Sequence, residues 1–216
     1  MAADPRQTLI TAAHRMTAEG LNRGTAGNLS LRAKLDGQDG FYVTPTGMAY
    51  ESLIPEDIPF VRLADGSPVG RRLPSSEWRF HRDIYAARPE VGAVLHAHSP
   101  FATSLACLRR DIPPFHYMIA RFGGDTLRCS GYATFGTQAL SDTALEALEG
   151  RLGCLLANHG MLVCGKDLAQ AVSLGVELES LCEQFWRASQ LGQPVLLSAA
   201  EMAEAQAKFA TYGKQA

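Results

Sequence analysis

Two histidines, His96 and His98, are separated by one residue within the apolar run AVLHAHSPFA. This run is predicted to form a strand. Because strand side chains alternate between faces, both imidazoles then point the same way, about 7 Å apart at ~3.3 Å per residue. That spacing suits two imidazoles converging on one Zn²⁺, which binds histidine nitrogen at about 2.0–2.1 Å. An H-x-H pair alone is weak support for a metal site, because such a pair at a strand end is often only polar surface.

A third histidine strengthens the prediction of a metal site. His159 lies in LLANHGM, where an apolar run breaks at a turn, so it too is expected at the end of a strand. Three histidines leave one coordination position open, which is typical of a catalytic zinc site rather than a structural one. The other histidines are interpreted as structural or surface residues; they are His14, His81 and His116.

Glu77 could serve the fold or the chemistry. It lies in the first turn of a helix predicted within PSSEWRFHRDIYAARPE, where the helix dipole and capping favour a carboxylate. The functional interpretation makes Glu77 a base, or an exchangeable ligand, beside the metal. Sequence spacing alone does not decide between the two.

Three small polar turns could bind an anion. They are TAGN at Thr25 to Asn28, TPTG at Thr44 to Gly47, and PSSE at Pro74 to Glu77. Each offers hydroxyls, an amide or backbone N–H groups, and the last also offers a helix N-terminus. Together they could hold a phosphate without any arginine. Separately, each is an ordinary turn.

The remaining sequence interleaves strands and helices. Short strands are predicted within 28–34, 40–44, 58–63 and 91–98, and two more surround the turn in CLLANHGMLVCG. Helices are predicted near 5–20, 75–88, 100–110, 140–149, from about 166 and from about 199. This alternation predicts an α/β fold with helices on both sides of a mixed sheet. We expect residues 1–216 to form one domain.

Composition excludes several classes of protein. The 216 residues carry a formal net charge of −2, which argues against nucleic acid as a partner. No stretch approaches the ~20 apolar residues of a membrane helix, and the N-terminus lacks a signal-peptide pattern. The five cysteines are odd in number and widely spaced, as in a reduced protein. We therefore expect a cytoplasmic protein with no membrane partner.

The motifs together resemble those of the class II aldolase/adducin family. The matching segments run nearly from end to end: GTAGNLS, VTPTGMAYESL, SSEWRFHRDIYAARPEVGAVLHAHSPFATSLA, HYMIARFGGD, YATFGT, LLANHGML and KFATYG. Within the family they look most like the aldolases that cleave L-fuculose 1-phosphate. The resemblance implies a three-layer α/β/α sandwich with a central mixed, largely antiparallel sheet. It also implies a homotetramer with active sites at subunit interfaces.

The resemblance assigns roles to individual residues. Zn²⁺ would be bound by His96, His98 and His159, with Glu77 beside it as acid/base and as a further ligand. The phosphate-binding positions would be Asn28, Thr46, Gly47, Ser75 and Ser76. Tyr117 would reach in from a neighbouring subunit to exchange a proton with the aldehyde oxygen, and Tyr212 would fold over the site.

The implied reaction is reversible aldol cleavage of a ketose 1-phosphate to dihydroxyacetone phosphate and an aldehyde. Dihydroxyacetone phosphate would bind Zn²⁺ through its carbonyl and hydroxyl oxygens, and Glu77 would take its C–H proton. L-Fuculose 1-phosphate is the first expectation for the substrate. However, RFGG at Arg121 to Gly124 and CSGY at Cys129 to Tyr132 depart from the pattern expected of a fuculose enzyme.

Other members of the family remain alternatives. A 5-methylthioribulose or 5-deoxyribulose 1-phosphate could be the substrate instead of a fuculose phosphate. A pentulose-phosphate epimerase, a dehydratase or a decarboxylase would reuse the same zinc histidines. An adducin-like binding module has this fold without an intact zinc site, and the retained histidines argue against it.

Overall fold

The computed structural model describes residues 4–209 and 211. Seven strands form one sheet in the order β4-β3-β2-β1-β5-β7-β6. They are β1 (Asn28–Leu35), β2 (Gln38–Val43), β3 (Phe60–Arg62), β4 (Pro68–Val69), β5 (Ala93–Ala97), β6 (Gly153–Leu156) and β7 (Gly160–Gly165). Every pairing between these strands is antiparallel. The largely antiparallel sheet is therefore confirmed, and a parallel contact occurs only as an isolated bridge between Cys129 and Leu155.

Helices cover both faces of this sheet. They are α1 (Pro5–Ala18), α2 (Trp78–Ala87), α3 (Pro100–Ala106), α4 (Gln138–Ala147), α5 (Leu168–Leu191) and α6 (Ala199–Phe209). The first, third and fifth helices pack on one face, while α2 and α4 pack together on the other. The three-layer α/β/α arrangement is confirmed. No helix among the described residues is both long and apolar enough to cross a membrane.

Side-chain alternation along β5 separates the two cores. Leu95 and Ala97 lie in the core beneath α1, α3 and α5, whereas Val94 lies in the core beneath α2 and α4. His96 follows Val94 on the second face, where its ring contacts Phe80 of α2 edge-on at 5.6 Å between centroids. The alternation predicted from the sequence therefore directs the paired histidines towards α2.

Two predicted helices are shorter than expected, for local reasons. Helix α2 begins at Trp78, because the PSSE segment forms a turn in which Trp78 N–H donates to the Ser75 carbonyl. Helix α3 ends at Ala106, and Arg109 then adopts a left-handed conformation (φ 51°) that reverses the chain. The irregular middle region contains one 3-10 segment, Tyr117–Phe122.

Candidate active site

Three histidines converge at one edge of the sheet. His96 and His98 come from the end of β5, and His159 comes from the turn between β6 and β7. Their ring centroids lie 4.7–4.8 Å apart in every pair, and their metal-binding nitrogens all fall within 4.8 Å of one another. The Nε2 atoms of His96 and His98 are 2.9 Å apart. The cluster predicted from spacing is thus present.

The backbone of β7 orients the buried His96 ring. The Nδ1 atom of His96 lies 2.9 Å from the carbonyl oxygen of Met161, so Nδ1–H donates and the lone pair of Nε2 faces the cluster. Burial is the main cause that lowers the pKa of both His98 and His159 to about 4. At neutral pH these two imidazoles are therefore unprotonated, as metal ligation requires.

Glu77 completes the cluster instead of capping its helix. It occupies the N-cap position of α2, but its side chain makes no capping hydrogen bond. Its Oε2 accepts a hydrogen bond from Asn28 Nδ2 at 2.9 Å and lies 3.2 Å from His96 Nε2. Its Oε1 lies 3.3 Å from His159 Nε2 and has no hydrogen-bond partner. The Glu77 side chain therefore faces the histidines, and its role in the chemistry stays a prediction.

The environment keeps the Glu77 carboxylate ionised. Burial acts to raise its pKa, but His96, His159 and the Asn28 amide outweigh burial and lower the pKa to about 2. Tetrahedral ligands at about 2.0–2.1 Å from zinc are separated by roughly 3.4 Å. Three distances are close to that value: 2.9 Å from His96 Nε2 to His98 Nε2, 3.2 Å from His96 Nε2 to Glu77 Oε2, and 3.3 Å from His159 Nε2 to Glu77 Oε1. The donor set and the unpartnered oxygen therefore fit a divalent cation.

Two glycines permit the close packing around the histidines. A Cβ at Gly160 would lie 2.4 Å from the carbonyl oxygen of Ala97 and 3.0 Å from the His98 ring. Gly27 adopts φ 80°, and a Cβ there would lie 2.7 Å from the carbonyl oxygen of His96. At both positions the glycine backbone packs directly against β5. Larger residues there would displace the strand that carries His96.

Hydrogen bonds from backbone N–H groups join the three polar turns through Thr44. Leu29 N–H donates to the Thr44 hydroxyl at 3.2 Å, and Ser75 N–H donates to the Thr44 carbonyl at 3.0 Å. An isolated antiparallel bridge joins Pro45 to Pro74. Residues separated by almost 50 positions in the chain are therefore held in one surface beside the histidines.

This surface forms a pocket with a volume of about 290 Å³. It brings together the predicted residues Asn28, Thr46, Gly47, Ser75, Ser76, Glu77, His98 and His159. His96 lies beneath them, fully buried. Among the described residues that line the pocket there is no lysine or arginine, so hydroxyls, backbone N–H groups and the N-terminus of α2 are the groups available to an anion.

Tyr117, which was predicted to act in the site, does not line this pocket of its own chain. Tyr117 lies at the start of the 3-10 segment and is 52% exposed. Its ring stacks on Phe209 and shares a separate groove with Arg121. Tyr212 lies outside the described residues, so its predicted position over the site stays a prediction.

The sequence analysis missed residues that line the same pocket. Tyr132 and Phe135, both more than half exposed, add aromatic side chains to the pocket lining, and Asn158 precedes His159 in the chain. Phe135 falls within YATFGT, a segment already included in the family resemblance. No local periodicity distinguishes an exposed aromatic at a pocket from one on an ordinary loop.

Comparison with known proteins identifies the family. The sequence model described as "Class II Aldolase and Adducin N-terminal domain" matches residues 7–186. The chain belongs to this family. Class II aldolases use a divalent metal, and the three-histidine cluster of this chain could bind one. The predicted recognition is confirmed, and the protein is an enzyme of the aldolase class, a carbon–carbon lyase.

Individual class II aldolases are similar over almost their whole length. A 5-methylthioribulose-1-phosphate/5-deoxyribulose-1-phosphate aldolase from Rhodospirillum rubrum is 54% identical, covering 98% of this chain and 93% of the relative. The L-fuculose phosphate aldolase of Escherichia coli is 43% identical, covering 95% and 94%. A solved L-fuculose 1-phosphate aldolase structure superposes with a TM-score of 0.91 at 38% identity, covering 97% and 98%. The higher identity therefore supports the alternative, a pentulose phosphate aldolase, better than the fuculose phosphate aldolase that was expected first.

Proposed function

We propose that this class II aldolase cleaves 5-methylthioribulose 1-phosphate and 5-deoxyribulose 1-phosphate. The products are dihydroxyacetone phosphate and, respectively, methylthioacetaldehyde or acetaldehyde. The observation that carries the choice of substrate is the 54% identity to an aldolase of that name, against 43% for a fuculose phosphate aldolase. L-Fuculose 1-phosphate is the second candidate, favoured by the TM-score of 0.91 to a fuculose enzyme.

The pocket supports this proposal because its lining contains both hydroxyl groups and aromatic side chains. Its lining carries the hydroxyls of Thr46, Ser75 and Ser76, which suit the phosphate. The same lining includes the aromatic side chains of Tyr132 and Phe135. Both pentulose substrates lack a hydroxyl on carbon 5, whereas fuculose 1-phosphate has one there. We place these two side chains at the aldehyde half of the substrate. The faces of aromatic rings offer no hydrogen bond to replace the one that a C5 hydroxyl loses with water, so they favour substrates without this hydroxyl.

The metal-binding groups would be His96, His98 and His159, with Glu77 as an exchangeable ligand. Imidazole ligands with one open position suit Zn²⁺. When bound, the cation acts as a Lewis acid that stabilises negative charge on the ketose oxygens.

The side chains of the chain itself handle the protons. In cleavage, the substrate loses the proton of its C4 hydroxyl, the C3–C4 bond breaks, and its electron pair passes to the enediolate. The proton of the C4 hydroxyl leaves through a second group to solvent, and Glu77 gives C3 a proton that it takes up from solvent. In the synthetic direction, Glu77 removes that proton from C3. A Glu77 carboxylate that has an unpartnered oxygen suits this role.

The proton of the C4 hydroxyl needs a second group. We assign it to Tyr117 of a neighbouring subunit in a homotetramer, since Tyr117 is exposed in the single chain and lies outside its own pocket. Tyr212 is proposed to cover the site. Asn28 can contribute to phosphate binding only through its second amide hydrogen or its backbone, because its other side-chain groups already bond Glu77 and His81. We also propose that residues 1–216 act as one cytoplasmic domain.

The experiment is a product assay with zinc-loaded protein and four ketose 1-phosphates: 5-methylthioribulose, 5-deoxyribulose, L-fuculose and rhamnulose. We expect the highest kcat/KM for the two pentulose phosphates, with dihydroxyacetone phosphate formed and the activity abolished by a chelator. A higher kcat/KM for L-fuculose 1-phosphate would move the assignment to the second candidate. Absence of triose phosphate from all four would contradict the proposal.

A further inference from the structure

A row of buried polar side chains runs from the interior to the Glu77 carboxylate. The Tyr85 hydroxyl lies 2.8 Å from Ser30 Oγ, which lies 2.7 Å from His81 Nδ1. His81 Nε2 lies 2.5 Å from Asn28 Oδ1, and Asn28 Nδ2 donates to Glu77 Oε2 at 2.9 Å. We propose that His81 is a positioning residue, which orients the Asn28 amide and thereby holds Glu77 for proton transfer.

The chemistry of the row allows one arrangement of hydrogens. An ionised Glu77 carboxylate only accepts hydrogen bonds, so Asn28 presents its NH₂ group to Glu77 and its carbonyl oxygen to His81. His81 Nε2 must therefore carry the proton, which leaves Nδ1 to accept from the Ser30 hydroxyl. Ser30 in turn accepts from Tyr85. Every donor in the row points towards the carboxylate.

The position of the His81 ring is determined by its surroundings. The ring is fully buried between Phe80, at 4.7 Å, and Phe41, at 6.2 Å between centroids. Burial lowers the pKa of His81 to about 3, so the imidazole is neutral and keeps one donor and one acceptor. A buried imidazole bonded at both nitrogens has no freedom to turn without leaving two partners unsatisfied.

Asn28 limits what this row can do. A side-chain amide does not take up and release protons at neutral pH, so the row cannot conduct a proton to Glu77. The row can instead determine which of the two carboxylate oxygens of Glu77 is hydrogen-bonded. Oε2 is held by Asn28, whereas Oε1 has no hydrogen-bond partner and remains available for the reaction. Without His81, the amide of Asn28 could rotate and present its carbonyl oxygen to the carboxylate.

The test compares two substitutions in the zinc-loaded enzyme. His81→Phe keeps an aromatic ring between Phe80 and Phe41 but removes both hydrogen bonds, so we expect kcat to fall about 10- to 100-fold while KM changes less than about 3-fold. His81→Gln can still donate to Asn28 and accept from Ser30, so it should recover most of kcat. Both variants should bind metal at the wild-type stoichiometry. An unchanged kcat in His81→Phe would overturn the proposal.

A stability control and a second variant separate positioning from folding. Ile84→Val alters the same core without touching the row, so it should lower the melting temperature and leave kcat unchanged. If His81→Phe does not fold, Ser30→Ala decides, because it removes the donor to His81 and the acceptor of Tyr85 but leaves His81, Asn28 and Glu77 in place. A several-fold fall in kcat for Ser30→Ala supports the proposal, and an unchanged kcat overturns it.

The inference rests on the proposed role of Glu77, and the two can fail separately. If Glu77→Gln still exchanges the α-proton of dihydroxyacetone phosphate, the proposed mechanism fails. If Glu77→Gln loses exchange while His81→Phe keeps it, only the role of His81 fails. A readout without turnover is the imidazole Nε2–H resonance of His81 in metal-free protein. We expect slow exchange with solvent that Asn28→Ala accelerates, and an equal rate in both proteins would contradict the hydrogen bond.

Discussion

Asn28 and His96 lie directly opposite each other on the antiparallel strands β1 and β5. This pairing places the Asn28 amide beside the histidine cluster and within 2.9 Å of the Glu77 carboxylate. A slip of one residue in the register would place the two side chains on opposite faces of the sheet. The site therefore depends on the register of β1 and β5 as much as on the ligands themselves.

Loss of His96 should remove the metal. His96→Ala leaves two histidines and a carboxylate, so we expect zinc content to fall from one per chain to near zero and turnover to be lost. Elemental analysis after dialysis measures the zinc content. The control is His14→Ala, an exposed histidine on α1, which should keep its zinc. Stoichiometric zinc in His96→Ala would show that the cluster is not the metal site.

Glu77→Gln should separate metal binding from proton transfer. The three histidines remain, so we expect zinc to stay bound, although more weakly. The amide cannot accept a proton, so exchange of the α-proton of dihydroxyacetone phosphate with D₂O should fall at least about 100-fold. Proton NMR follows the exchange, with the exposed Glu204→Gln as the control. Exchange at the wild-type rate would exclude Glu77 from the mechanism.

Ser76→Ala tests the predicted phosphate site. Ser76 is exposed and lines the pocket, so its removal should leave folding intact. Loss of one hydrogen bond to a charged phosphate should raise KM roughly 5- to 20-fold, with kcat changed less. Steady-state kinetics measures both, and Ser52→Ala, which lies outside the pocket, serves as the control. An unchanged KM would place the phosphate elsewhere.

Gly160→Ala should damage the site through the backbone. Its Cβ would meet the Ala97 carbonyl oxygen at 2.4 Å, so β7 or the His98 segment must move. We expect a loss of about 1–3 kcal/mol in the free energy of unfolding and weaker zinc binding. Denaturant unfolding and zinc titration measure these effects. Gly131→Ala is the matched control, because its Cβ would meet only Thr143 at an ordinary 3.5 Å. Equal behaviour of the two variants would contradict the prediction.

Asp57 should make the free energy of unfolding depend on pH in the acidic range. A hydrogen bond from Arg72 is the largest cause that lowers its pKa from 3.8 to about 2, with further bonds from Ile54 N–H and Arg71. The pKa of Asp57 is lower in the folded state than in the unfolded state. Its contribution to the free energy of unfolding is therefore complete above about pH 4 and is lost as the pH falls towards 2.

The substitution Asp57→Asn tests this contribution. We expect it to cost about 1–2 kcal/mol at pH 7, allowing for solvent screening at the half-exposed arginines. The difference from wild type should shrink below pH 4, as urea unfolding at several pH values would measure. Exposed Glu51→Gln should show no such pattern. A difference that stayed constant down to pH 2 would contradict the assigned pKa.

Several parts of the site were predictable because their signals are local. His96 and His98 are two residues apart on a strand, and the alternation of strand side chains alone puts them on one face. His159 stands at a break between two apolar runs, so its place at the end of the sheet follows from the same pattern. The order and approximate extent of the helices also followed from caps and periodicity, although PSSE and Arg109 shortened two of them.

Only the tertiary structure decided where the Glu77 side chain is directed. Helix-capping rules favour it as a first-turn residue, but its carboxylate turns to Asn28, which is 49 positions away in the chain. His81 is similar: it looked structural in its helix, yet it bonds Asn28 across 53 positions. Local sequence determines which side chains share a face of a strand or helix. The bonds that orient Glu77 depend on the register of β1 against β5 and the packing of α2 on the sheet, which no local pattern specifies.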